Sequence, residues 1–105
     1  MKRIARRIYV KPDRLEGYKQ QHANIWPSIA NAIEAANLHN YSIHYLDGEL
    51  FAYMEYTGDD YAADMKRLGE SEDMKQWCRI CSEMQVSPGL PDGTWVDMEE
   101  VFYQA

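Results

Sequence analysis

Residues 3–11 alternate between two faces. Ile4, Arg6, Ile8 and Val10 point one way; Arg3, Ala5, Arg7, Tyr9 and Lys11 point the other, which predicts a strand. One charge, Arg6, falls among the apolar positions. Pro12-Asp13 ends the strand and opens a helix. Leu15, Tyr18, His22, Ile25, Ile29 and Ile33 then recur at helical spacing. Pro27 interrupts them, because it has no N–H to donate and disfavours helical backbone at Trp26. The pattern predicts a helix from about 13 to 22, a break at 24–27, and a second helix from Pro27 to about 36.

Residues 38–46 alternate again, with Tyr41, Ile43 and Tyr45 on one face and Asn40, Ser42 and His44 on the other. Asp47-Gly48 is a hairpin signal, and 49–56 reads as the return strand, Leu50, Ala52, Met54 and Tyr56 opposing Phe51, Tyr53 and Glu55. Helices follow over about 59–68 and 72–84, the second opened by Ser71-Glu-Asp. Its apolar positions are Met74, Trp77, Cys78, Cys81 and Met84. Residues 87–93 read as a loop. A last strand over 94–103 sets Val96, Met98, Glu100 and Phe102 against Trp95, Asp97, Glu99, Val101 and Tyr103.

The order strand, helix, strand, strand, helix, strand predicts an α+β fold of the ferredoxin-like βαββαβ type. Its four-stranded antiparallel sheet would carry helices on one face only. The opposite face bears aromatic and aliphatic side chains, and a face-to-face dimer would cover them. A chain of 105 residues, 46% hydrophobic and 27% charged, fits one domain over 1–105 with a packed core. The net charge of −6 opposes non-specific binding to nucleic acid or to an anionic membrane. No stretch is long enough to span a bilayer, and Met1-Lys-Arg-Ile-Ala-Arg-Arg lacks the apolar run of a signal peptide. A cytoplasmic protein is expected.

Candidate chemistry concentrates in residues 18–27. Tyr18 and His22 stand one helical turn apart on one face, placing an imidazole beside a phenol. His22 is either an acid/base group or a helix-end histidine bonded to a backbone carbonyl. Trp26 suits the core, anchoring the break. Tyr41 is either a ligand contact or an ordinary strand aromatic, and Trp77 either a flat binding platform or a filler of core or dimer interface. His39 and His44 read as structural. Cys78 and Cys81 form a Cys-x-x-Cys within a helix, without the second Cys/His pair a zinc site would need. They read as two buried small thiols, so neither a metal nor a redox role is expected of them. Asp92, Asp97, Glu99 and Glu100 could each supply a partner carboxylate, and no spacing selects one.

Tyr18-x-x-x-His22, the Ile25-Trp26-Pro27 break, His39-Asn40-Tyr41, Trp77, and the closing Glu99-Glu100-Val101-Phe102-Tyr103 together resemble the L-rhamnose mutarotase family. The resemblance runs nearly end to end. It implies a dimeric α/β barrel that interconverts the α and β anomers of a 6-deoxy sugar without cofactor or metal. By position it implies His22 as proton donor and Tyr18, Tyr41 and Trp77 as sugar contacts. The family usually has two adjacent tryptophans where this chain has Trp77-Cys78, which opens one wall of the pocket and leaves the choice between L-rhamnose, L-fucose and other sugars open. The competing functions are a cofactor-free oxygenase-like enzyme on the same dimeric scaffold and a non-catalytic sugar-binding protein.

Overall fold

The computed structural model describes residues 1–87, 89–91 and 93–105. Strand β1 (Lys2–Val10) lies inside an antiparallel sheet and buries Ile4, Ile8 and Val10, as the alternation requires. On one side it pairs with β3 (Glu49–Tyr56), from Lys2 opposite Tyr56 to Tyr9 opposite Glu49. Beyond β3 lies β2 (Leu38–Leu46), joined to it by a two-residue turn. That turn holds Asp47 at φ 47° and Gly48 at φ 85°. Two left-handed residues match the strand twist, which is why Asp-Gly closes hairpins of this kind.

Strand β2 is not a plain alternation. His39 stands opposite Glu55 and Ser42 opposite Tyr53, so Asn40 and Tyr41 share one residue of β3, a β-bulge. Asn40 takes φ 50°, a conformation asparagine tolerates better than most residues. Its amide donates to Glu55 Oε1 at 2.7 Å, and Tyr53 donates its hydroxyl to Glu55 Oε2. Leu38, before the bulge, is buried on the helix side. The extra residue puts Tyr41, three positions on, onto that same side.

The far edge of β1 corrects the expected strand over 94–103. Two short strands share that edge: β4 (Gln85–Val86) against Val10 and Tyr9, and β5 (Val96–Met98) against Arg7, Arg6 and Ala5. The fourth position of the sheet is thus occupied in two pieces, and the chain leaves the edge between them. Residues 99–103 lie outside regular strand, although the register, continued, would set Glu99, Glu100 and Val101 beside Ile4, Arg3 and Lys2. Side chains take over there. Arg3 forms a forked ion pair with Glu100 at 2.7 Å and 3.1 Å, and its guanidinium stacks on the Tyr103 ring at 3.3 Å.

Helices α1 (Leu15–Ala23), α2 (Pro27–Ala35), α3 (Tyr61–Leu68) and α4 (Glu72–Met84) cover one sheet face. The expected start of the first helix is a single 3-10 turn, Pro12–Arg14, before α1 begins at Leu15. Trp26 sits in extended backbone and Pro27 opens α2, as a ring without an N–H favours. Asp60 caps α3 by accepting from Ala63 N–H, and Ser71 caps α4 by accepting from Met74 N–H. One buried cluster joins Ile8, Val10 and Leu50 of the sheet to Tyr18, Ile29, Trp77 and Met84 of the helices. At the other end Tyr56 donates its hydroxyl to Asp64, which also accepts from the Asn37 amide. Gly58 lies so close to that pair that a Cβ there would strike both the Tyr56 hydroxyl and the Asp64 carboxylate. Among the described residues no helix is long and apolar enough to cross a membrane.

Candidate active site

The break at residues 24–26 lets α1 and α2 diverge, and a cavity opens between them, α4 and the sheet. Its mouth, about 430 Å³, is lined by His22, Ile25, Ile29, Tyr41 and Trp77, among others. An inner chamber of about 260 Å³ shares His22, Tyr41 and Trp77 and adds Arg6, Tyr18, Gln85 and Trp95. Tyr18, His22, Tyr41 and Trp77, from three different elements, therefore come together on one cavity.

His22 is in the last turn of α1. Its ring stacks on Tyr18 with centroids 4.3 Å apart and meets the edge of Trp77 at 5.4 Å. Trp77 in turn packs edge-on against Trp26 at 5.2 Å, which places Trp26 as the expected anchor of the break. His22 Nδ1 lies 2.8 Å from the Tyr18 carbonyl oxygen. A carbonyl only accepts, so Nδ1 carries the hydrogen and the neutral ring keeps its lone pair on Nε2. The helix-end bond to a backbone carbonyl is present, and it is compatible with acid–base work because it orients the ring and leaves the other nitrogen free.

Tyr18 is buried, and its hydroxyl accepts from Gln85 Nε2 at 3.1 Å. Burial, reinforced by Cys81, pushes the phenol well above its usual pKa, and the bond from Gln85 only partly opposes this. Tyr18 thus stays neutral and can donate its own hydrogen into the chamber. Tyr41 exposes its outer part, yet its hydroxyl end is enclosed. Burial raises its pKa too, against the pull of the Arg6 charge. Two neutral phenols and an imidazole with a free nitrogen can bond hydroxyl groups and move protons, while the Trp77 face offers flat apolar area to C–H groups.

The thiol pair departs from expectation. Cys81 is buried, accepts from Gln21 Nε2 at 3.8 Å, and has its pKa pushed up to about 12, first by burial and then by Cys78. Cys78 is exposed rather than buried, because it lies one residue beyond Trp77 and turns past the core to the rim of the inner chamber.

Three of the four candidate carboxylates lie in the described residues. Asp97 pairs with Arg6 at 3.0 Å, Glu100 with Arg3 on the outer sheet face, and Glu99 forms no ion pair among the described residues. Asp92 lies outside the described residues. His44 bonds Ser42 at 3.0 Å and tilts against Phe51 on the outer sheet face. Sequence reasoning missed Gln85, Trp95 and Tyr61 as neighbours of the site. Only Arg6 carried a signal, a charge at an inward strand position.

Fold and cavity define an α+β protein of the ferredoxin-like class with an aromatic-lined pocket that presents an imidazole. The family model described as L-rhamnose mutarotase matches residues 3–104. L-rhamnose mutarotase of Bacillus subtilis (strain 168) is 34% identical over 106 residues, covering 98% of each chain. That of Listeria monocytogenes serovar 1/2a is 33% identical over the full length of both. The crystal structure of L-rhamnose mutarotase FA22100 from Formosa agariphila superposes with a TM-score of 0.78 at 24% identity, covering all of both chains. A crystal structure of an antibiotic biosynthesis monooxygenase shares the fold at a TM-score of 0.60 and 14% identity, covering 94% of this chain and 97% of that one. The chain belongs to the L-rhamnose mutarotase family, a family of isomerases.

Proposed function

We propose that the protein interconverts the α and β anomers of a 6-deoxy sugar, L-rhamnose first among them, by acid–base ring opening and closure. The observation that carries this reading is the Nδ1 bond from His22 to the Tyr18 carbonyl. In the neutral ring it places the lone pair on Nε2, and the ring lines an aromatic cavity. Nε2 of His22 takes the proton of the anomeric hydroxyl, and the imidazolium so formed delivers it to the ring oxygen. The bond from C1 to the ring oxygen breaks, C1 becomes an aldehyde, and rotation about C1–C2 presents its other face. Reclosure reverses the two transfers. Tyr18 and Tyr41, held neutral by burial, hydrogen-bond sugar oxygens, and Trp77 stacks on a C–H face.

Apolar groups exposed on or beside the outer sheet face, Phe51, Val96, Met98, Val101 and Phe102, support a homodimer. Two free thiols one helical turn apart support a cytoplasmic home.

The test is exchange between the two anomeric protons of a reducing sugar by NMR. The protein accelerates exchange for L-rhamnose or a related 6-deoxy sugar. Exchange that stays at the buffer rate across a panel of sugars refutes the reading.

A further inference from the structure

Arg6 holds a position that its strand otherwise gives to Ile4, Ile8 and Val10, all buried. A guanidinium there is costly unless it is paired or used. Its pairing is partial. Nε donates to Asp97 Oδ1 at 3.0 Å and Nη2 donates to the Tyr61 hydroxyl at 2.7 Å. Asp97 itself is 79% exposed, so the ion pair is anchored at the solvent end of the group. These two bonds fix the guanidinium plane. Of its five N–H groups they use two, and among the described residues no other side chain accepts from it. Arg6 also lines the inner chamber, which it shares with His22, Tyr41 and Trp77, and it is absent from the lining of the mouth.

A planar fork with spare donors matches two neighbouring oxygens on a ligand better than a point charge would. We infer that Arg6 is a specificity-determining residue that binds a pair of adjacent sugar hydroxyls at the inner end of the pocket and thereby sets the anomeric centre against His22. Asp97 and Tyr61 are its positioning residues. They act through the guanidinium and do not touch the sugar. The inference rests on the mutarotase reading for the reaction and not for binding, because sugar capture is measurable without turnover.

The test pairs protein and sugar changes. Arg6→Met removes the charge at similar length, and Arg6→Lys keeps the charge without the fork. Sugar binding is followed by tryptophan fluorescence and NMR shifts, and turnover by anomeric exchange. Both variants are expected to weaken binding about ten- to a hundredfold, with KM rising far more than kcat falls. Wild-type protein is expected to lose a similar factor when one hydroxyl of the adjacent pair is removed from the sugar, and Arg6→Met to lose almost nothing further. Unchanged binding in both variants overturns the inference, as does an equal deoxy-sugar penalty in wild type and Arg6→Met. If Arg6→Met fails to fold, Arg6→Lys and the deoxy-sugar series on wild-type protein decide alone. Sugar binding without any rate enhancement, weakened in the variants, keeps the inference and removes the mutarotase reading. Wild-type protein that binds no sugar removes both.

Discussion

The Nδ1 of His22 and the carbonyl oxygen of Tyr18 lie 2.8 Å apart, four residues from one another on a single helix. The contact is local, so it forms as soon as α1 does. Because it fixes the tautomer of the neutral ring, the nitrogen proposed to transfer the proton is prepared before any substrate arrives. Replacing His22 with Ala is expected to reduce catalysed anomeric exchange by about 10²- to 10⁴-fold while circular dichroism stays unchanged. Exchange at the wild-type rate in that variant would remove His22 from the mechanism.

The two cysteines should separate chemically. Cys78 is exposed at the chamber rim, whereas Cys81 is buried with its pKa pushed up to about 12. Iodoacetamide is expected to label Cys78 alone in the folded protein. Burial also raises the Cys78 pKa, so labelling is slow near neutrality and quickens as pH rises. The adduct crowds the inner chamber and lowers turnover, and a bound sugar slows its formation. Peptide mass spectrometry reads the site; equal labelling of both thiols would contradict the geometry.

Asp64 makes stability pH-dependent on the acid side. The Tyr56 hydroxyl first, then the Asn37 amide and Arg67, hold its pKa below the ordinary carboxylate value. A depressed folded pKa means that the unfolded chain binds the proton more readily. The contribution is complete above the unfolded value of about 4 and is lost as pH falls through the lower folded value. Urea midpoints measured from pH 7 down to pH 2 should fall less steeply below pH 4 for Asp64→Asn than for wild type. Parallel curves would show that Asp64 titrates alike in both states.

Two glycines should respond in opposite directions. A Cβ on Gly58 would strike the bonded Tyr56–Asp64 pair, so Gly58→Ala is expected to cost about 1–3 kcal/mol in thermal unfolding. In Gly17, within α1, a Cβ would meet Met84 Sδ at an ordinary 3.8 Å. Gly17→Ala is expected to stabilise by about 0.4–1 kcal/mol through the unfolded chain. Equal effects at both sites would mean that the crowding at Gly58 is relieved by movement.

Periodicity located both hairpin strands and all four helices to within two residues, because burial on one side imposes a fixed period. The break at Pro27 followed from the chemistry of one residue. The last strand did not follow in full, since residues 94–103 alternate throughout but backbone pairing with β1 covers only Val96–Met98, and beyond it side chains, Arg3 with Glu100 and Tyr103, make the contact. The two-residue β4 carries too little sequence to show a period. In the site, the family pattern brought together Tyr18, His22, Tyr41 and Trp77, and the cavity unites them. Gln85 and Trp95 reach it from the two segments on the interrupted edge, a meeting that no local spacing encodes. Cys78 was misplaced because an apolar residue beside a buried one on a helix need not share its face.

Asn40 acts as a phase shifter. Upstream of it β2 presents even-numbered positions to the helices; downstream it presents odd ones. Tyr41, Ile43 and Tyr45 face the helices beside Met54, Ala52 and Leu50 of β3, and the inserted residue, its amide held by the Glu55 carboxylate, lets Leu38 keep the same side although it lies three positions before Tyr41. Removing it would close the bulge, since Tyr41 would then stand alone opposite Met54 and keep its face, and the strand would lose the bond from Asn40 to Glu55 and the local bend that the extra residue brings.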